Sequence, residues 1–233
     1  MRVGAIIFSR MTSERLPGKP LIEIAGRALL GRVIDRTRHI NGIDKIVIAT
    51  SVDSEDDEID LFAKEEDIDV YRGSLEDVAG RAMETCNFFN LDAFARICGD
   101  RPFFDPELIS SLIMTYNNID VDVVTTTFPR TYPPGLTGEI INANALRFAI
   151  TSMTDIEDKE HLTNYFYSHS SEFSIKNISA PVDIDYSDIN LCVDNNKDLL
   201  RAEWIASHVN DNAQTYAKMS DVISLARSWQ KSS

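Results

Sequence analysis

Short apolar runs alternate with segments of helical periodicity along nearly the whole chain, and that rhythm leaves few folds open. Residues 3–8, 45–50, 69–71, 93–98 and 121–125 have strand length and are bounded by charged or turn residues. Between them, residues 28–40, 57–66, 75–89 and 106–117 carry apolar side chains at helical spacing, with Asp105 and Pro106 as a cap and first-turn pair. Such alternation predicts an α/β fold: a doubly wound, mostly parallel sheet with helices on both faces. After Thr126 the rhythm changes. Residues 128–136 read as a Pro- and Gly-rich loop, with a strand expected at 139–142, helices at 159–168, 196–209 and 219–229, and strands at 173–178 and 190–193. A chain of 233 residues, 43% apolar and without internal repeats, fits one large domain with a small inserted lobe at about residues 128–180.

The first expected strand runs into Ser9-Arg10-Met11-Thr12-Ser13-Glu14-Arg15-Leu16-Pro17-Gly18-Lys19-Pro20-Leu21, which sets three cations around one loop before helical periodicity resumes near Leu29. A strand, a cationic loop and a helix together bring backbone N–H groups and Arg or Lys heads onto phosphates. The alternative is a surface loop that happens to be basic. Charge balance bears on the choice: the chain carries a formal −14, yet its first forty residues hold eight Lys or Arg against three acids. That overall sign makes duplex nucleic acid or an anionic membrane a poor partner and favours a small anion held locally. Arg32, Arg36 and Arg38 fit the solvated face of a helix.

Two acidic residues each follow an apolar strand-like run: Asp100 after Ile97-Cys98-Gly99, and Asp194 after Leu191-Cys192-Val193. Ligands of open α/β sheets bind outside the carboxyl ends of strands, so these two carboxylates can meet in one cleft. A few carboxylates completed by water and phosphate oxygens suit Mg²⁺. Ordinary capping is the other reading of Asp194, which precedes Asn195, Asn196 and Lys197. Gly99 permits a close backbone approach to a ligand. Cys86, Cys98 and Cys192 have no metal or redox spacing and read as small core hydrophobes. No run approaches the ~18 apolar residues of a membrane span, and the chain starts directly in a strand pattern, so a soluble cytoplasmic protein is expected.

The opening stretch, with Cys98-Gly99-Asp100-Arg101-Pro102 and Val193-Asp194-Asn195-Asn196-Lys197-Asp198-Leu199, resembles the CMP-sugar synthetases. The likeness is nearest to the spore-coat polysaccharide biosynthesis cytidylyltransferase branch. It extends to Tyr71-Arg72-Gly73-Ser74 with Asp77-Val78 and Arg81, to Arg130-Thr131-Tyr132-Pro133 with Gly135-Leu136, and to Glu160-His161-Leu162-Thr163. These motifs span nearly the whole chain in order.

The resemblance implies a Rossmann-like sheet of the nucleotide-diphospho-sugar transferase type and transfer of a cytidylyl group from CTP to the anomeric hydroxyl of a sugar acid. Arg10, Arg15 and Lys19 would then hold the triphosphate, and Asp100 and Asp194 the Mg²⁺. Ser9, Ser13, Arg72, Ser74, Asp77, Arg81 and Gly99 would face the nucleotide. For Asp77 and Arg81 an i,i+4 surface pair worth ~0.3 kcal/mol is the other reading. Arg130, Tyr132, Glu139, His161 and Tyr165 would face the acceptor, an octulosonic or nonulosonic acid, with Arg130 pairing its carboxylate. Leu136-Thr137-Gly138-Glu139 departs from the pattern, in which an acidic residue follows Gly-Leu directly. The family is usually homodimeric, and residues 128–139 could cross to a second subunit or close over the acceptor. Rival readings are a nucleotidyltransferase with another base or a polyol acceptor, and a catalytically silent nucleotide-binding subunit.

Overall fold

A computed structural model describes residues 1–13, 15–181, 186, 188–212 and 214–232; Glu14 of the opening motif lies outside them. The first half alternates as its periodicity requires: β1 (Val3–Phe8), the two-residue strands β2 (Glu23–Ile24) and β3 (Arg27–Ala28), α1 (Leu29–Thr37), β4 (Lys45–Ser51), α2 (Asp57–Glu65), β5 (Asp69–Gly73), α3 (Val78–Phe89), β6 (Ala93–Cys98) and α4 (Pro106–Asn118). The second half holds β7 (Val123–Thr125), β8 (Glu139–Asn142), α5 (Ala143–Ile150), α6 (Ile156–Glu160), α7 (Leu162–Ser168), β9 (Ile175–Asn177), α8 (Asn196–Ser207) and α9 (Met219–Ser232).

Among the described residues one seven-stranded sheet has the order β5-β4-β1-β6-β8-β7-β9, and β2 pairs with β3 as a separate hairpin. β1 pairs in parallel with both β4 and β6, β4 with β5, and β7 with β9. β8 runs antiparallel to β6 and β7. Both faces of the central strands are buried, which is why they read as unbroken apolar runs. Val3, Ala5, Ile7, Ala95 and Ile97 face α1, α2 and α4 in one cluster, while Ile6, Ala49 and Phe94 face α3, α5 and α7 in another.

A third cluster joins Leu16 of the opening loop, Phe103, Leu136, Leu191 and Val193 to α8 and α9. It fastens the opening loop and the 191–193 segment to one apolar body. Residues 190–193 therefore do not form the expected strand. Leu191 N–H donates to Pro134 O at 2.8 Å and Val193 N–H to Asp100 O at 2.9 Å, so the segment hydrogen-bonds loops rather than a strand. Helix α5 was not expected from the sequence. It starts directly after β8 because the Asn142 side chain accepts from the N–H groups of Asn144 and Ala145, at 2.8 and 3.1 Å. The single helix expected at 159–168 is divided at His161, whose backbone leaves the helical region between α6 and α7.

Candidate active site

The chain leaves β1 toward β4 and β5 and then returns to β6 on the other side of β1, so the topology switches between the carboxyl ends of β1 and β6. Phe8 lies beside Cys98 in the β1–β6 register, and Gly99 N–H donates to Phe8 O at 2.9 Å. A Cβ on Gly99 would stand 3.0 Å from that carbonyl oxygen and from Ser9 Oγ. The close approach that Gly99 permits is thus to the end of β1, and it keeps the two strand ends together at the floor of a cleft of about 960 Å³.

The opening loop forms one wall. Gly18, with φ of +70°, donates its N–H to Met11 O at 3.1 Å and closes the loop before a single 3₁₀ turn at Lys19–Leu21. Burial of Leu16 in the third cluster sends its neighbour Arg15 outward. The loop is also tied to the turn after β4: buried Asp56 accepts from Met11 N–H at 2.7 Å and from Ser51 N–H at 2.9 Å. Burial pushes the Asp56 carboxyl up, but the Met11 and Ser51 hydrogen bonds outweigh it and hold the pKa below its ordinary value.

Lys19 joins the two acids that follow the strand-like runs. Its Nζ stands 3.2 Å from Asp194 Oδ1 and 3.5 Å from Asp100 Oδ2, with only 15% of the side chain exposed. Arg15 reaches Asp194 Oδ2 at 3.5 Å, and Arg10 pairs with Glu160 at 3.0 Å. The capping alternative for Asp194 does not apply to its side chain, because Asn195 caps α8 by accepting from Asp198 N–H at 3.1 Å. Asp100 Oδ1 is buried without a hydrogen-bond partner. An unsatisfied carboxylate oxygen beside a second carboxylate fits a divalent cation. Among the described residues, however, no group of three or more His, Cys, Asp or Glu comes together to hold one. Asp100 and Asp194 would share the ion with oxygens brought by a ligand.

Ser9, Arg10, Ser13, Arg15, Lys19, Arg81, Gly99, Asp100, His161 and Asp194 all line the cleft. Arg72, Ser74 and Asp77 stand behind its wall. Arg72 donates to the carbonyls of Ser51 and Asp53 and pairs with Asp57, bracing the turn that carries Asp56. Asp77 caps α3 by accepting from Gly80 N–H at 2.7 Å, and its own N–H donates to Ser74 Oγ. Arg81 forms no ion pair with Asp77 and instead donates to Ser74 O at 2.5 Å; burial lowers its pKa to about 10 and its Nε has no partner.

Of the five residues expected at the acceptor, His161 reaches the cleft lining. Arg130 is exposed, Tyr132 stacks on Tyr186 with ring centres 6.4 Å apart, and Tyr165 is buried against His169 at 4.1 Å. Glu139 is 4% exposed. It accepts from Arg96 Nη1 at 2.8 Å, Tyr167 Oη at 2.5 Å and Thr127 Oγ1 at 3.2 Å. Burial opposes its charge, but Arg96, Tyr167 and Arg101 together hold its pKa below the ordinary carboxylate value. Arg96 and Glu55 also line the cleft although the sequence did not single them out, as does Glu160, which the sequence placed in a motif without a role; Asp56 supports the cleft from behind.

Residues 4–223 match the family model described as cytidylyltransferase. The spore coat polysaccharide biosynthesis protein SpsF of Bacillus subtilis is 32% identical over 199 residues, covering 83% of this chain and 81% of that protein. Among solved structures, a cytidylyltransferase from Leptospira borgpetersenii superposes with a TM-score of 0.88 at 23% identity, covering 100% of this chain and 95% of the other. A CMP:2-keto-3-deoxy-manno-octonic acid synthetase in complex with CTP gives a TM-score of 0.67 at 16% identity, covering 89% and 99%.

Proposed function

The chain belongs to the cytidylyltransferase family, which makes it a nucleotidyltransferase, and from that premise we propose that it moves CMP from CTP to the anomeric hydroxyl of a sugar acid with release of pyrophosphate. The observation that carries the reading is Lys19 held between Asp100 and Asp194 at the switch point of the sheet. Three cations from one loop face carboxylates from three other segments, Asp100, Glu160 and Asp194, an arrangement that suits a metal-bound triphosphate.

In this reading Arg10, Arg15 and Lys19 exchange their carboxylate partners for triphosphate oxygens. Asp100 and Asp194 hold Mg²⁺, which supplies charge neutralisation and alignment of the phosphates. The acceptor hydroxyl oxygen bonds to the α-phosphorus, the bond from that phosphorus to the bridging oxygen breaks, and pyrophosphate leaves with the electron pair. The hydroxyl proton passes to water. The side chains of the opening loop contribute position and positive charge at the leaving group rather than covalent chemistry. The nucleoside lies toward Val78 and Arg81, with Arg72, Ser74 and Asp77 fixing that end of the cleft from behind.

The acceptor in this proposal is an octulosonic or nonulosonic acid, and the similarity to SpsF supports a surface polysaccharide as its destination. A cytoplasmic homodimer completes the proposal, with residues 128–180 as its acceptor and dimer lobe. Exposed Phe88, Phe148 and Ile156 on neighbouring helices offer apolar surface for a second copy. Among the described residues no helix is long and apolar enough to cross a membrane. The test is Mg²⁺-dependent pyrophosphate release from CTP, measured against ATP, GTP and UTP with a panel of eight- and nine-carbon 2-keto-3-deoxy sugar acids. Release confined to CTP and to at least one sugar acid is expected, and a lack of release with every pair would overturn the proposal.

A further inference from the structure

Arg96 lines the cleft from β6, and its setting differs from that of every cation on the opening loop. It sits on β6 on the same face as Phe94 and Cys98, and it continues the antiparallel register with β8 so that it meets Glu139 across the strand pair. Nη1 is committed to Glu139 Oε2 at 2.8 Å. The other oxygen of Glu139 is occupied by Tyr167 Oη and Thr127 Oγ1, and Tyr167 Oη lies 2.8 Å from both Thr125 Oγ1 and Thr127 Oγ1. Phe128 stacks on the Tyr167 ring at 4.9 Å and covers the network from outside.

Glu139 accepts hydrogen bonds from three neighbours and is buried behind them. Arg96 is less committed: its buried Nε has no partner, Nη1 alone bonds Glu139, and its side chain lines the cleft with Cys98, Gly99 and His161. A guanidinium held at Nη1 by a buried, hydrogen-bonded carboxylate, with Nη2 uncommitted on a side chain that lines the cleft, can receive an anion there. The triphosphate already has three cations on the opening loop. The cleft therefore offers a second and separate anion position.

We propose that Arg96 anchors the carboxylate of the sugar-acid acceptor and that Glu139 is a positioning residue that fixes the Arg96 guanidinium for this purpose. The inference rests on the cytidylyl-transfer reading and deepens it. It moves the carboxylate contact from Arg130, which is exposed and away from the cleft lining, to a residue of the central sheet. Specificity for an acid over a neutral sugar then follows from the unpaired donor edge that a neutral acceptor would leave in the cleft wall.

The experiment uses the full-length protein, CTP with Mg²⁺, and whichever acid of the panel the wild type turns over fastest, together with that acid's C1 primary amide. Arg96→Gln should raise the acceptor KM by about tenfold or more while leaving the CTP KM within about twofold. The wild type should prefer acid over amide by about the same factor, and Arg96→Gln should lose that preference. Glu139→Gln should raise the acceptor KM in the same direction, with a smaller effect on kcat. Because Arg96→Gln can disturb the buried pair, Arg96→Lys serves as the second variant: it keeps a cation for Glu139 but lacks the planar fork, and should also lose selectivity against the amide. CTP binding by thermal shift reports that each variant is folded. An unchanged acceptor KM, a retained acid-over-amide preference, or a rise in CTP KM equal to that for the acceptor would overturn the inference. A wild type that turns over no acid with CTP overturns the underlying reading instead, and the inference with it.

Discussion

On the opening-loop wall of the cleft, charged groups meet at 3.0–3.5 Å with side chains that are partly exposed, from Arg10 and Glu160 to Lys19 and the two aspartates. On the β6–β8 wall, Glu139 is buried and gathers Arg96 and Tyr167 at 2.8 and 2.5 Å. Loose, wet pairs cost little to separate, so a ligand can take either partner. A buried and hydrogen-bonded pair costs several kcal/mol to break and keeps its geometry through a reaction cycle. One wall is made to exchange partners and the other to stay fixed.

The largest stability effect that separates the walls is expected at Glu139. Glu139→Gln leaves the Arg96 charge without its counter-ion and should cost about 3–5 kcal/mol in denaturant unfolding. A cost near that of an exposed pair would erase the contrast between the walls. The same residue sets the acid limit. Its pKa is lowered in the fold, so its stabilisation is fully present above the ordinary carboxylate value of about 4.3 and is lost as pH falls through the folded value. The slope of stability against pH below about 4.3 should therefore be shallower in Glu139→Gln than in the wild type.

Asp56→Ala comes next, because it strips the partners from Met11 N–H and Ser51 N–H behind the opening loop. A loss of about 2–4 kcal/mol is expected, with faster amide exchange at Met11. Asn195→Ala removes the α8 cap beside Asp194 and should cost about 1 kcal/mol. Glu160→Gln is the smallest: its pair with Arg10 is about two-fifths exposed on both sides, so stability should move by less than about 1 kcal/mol. A loss at Glu160 matching that at Glu139 would show that the opening wall is as fixed as the inner one.

The sheet was legible in the sequence because both its faces are covered, which turns its strands into plain apolar runs between helices of clear period. Asp100 and Lys19 were legible because each lies beside a strand end or a turn marked by Gly or Pro, and Asp194 because it follows an apolar run that reads as a strand. Helix α5 was hidden by the absence of any break after β8, and 190–193 passed for a strand because Leu191 and Val193 are buried by loops and helices rather than by sheet neighbours. The Arg96–Glu139 pair joins residues 43 apart through strand register, and no local pattern carries that information. Asp56 was one acid among Asp53, Glu55 and Asp57, distinguished only by the fold that buries it.

The most direct test of the central claim, that cations and carboxylates around Lys19 perform nucleotidyl transfer, is steady-state pyrophosphate release from CTP and Mg²⁺ by wild type, Lys19→Met and Asp100→Ala, each checked for an unchanged melting transition. Both variants should lose about 100-fold or more in kcat while remaining folded. Near-normal release by either would contradict the assignment of this site.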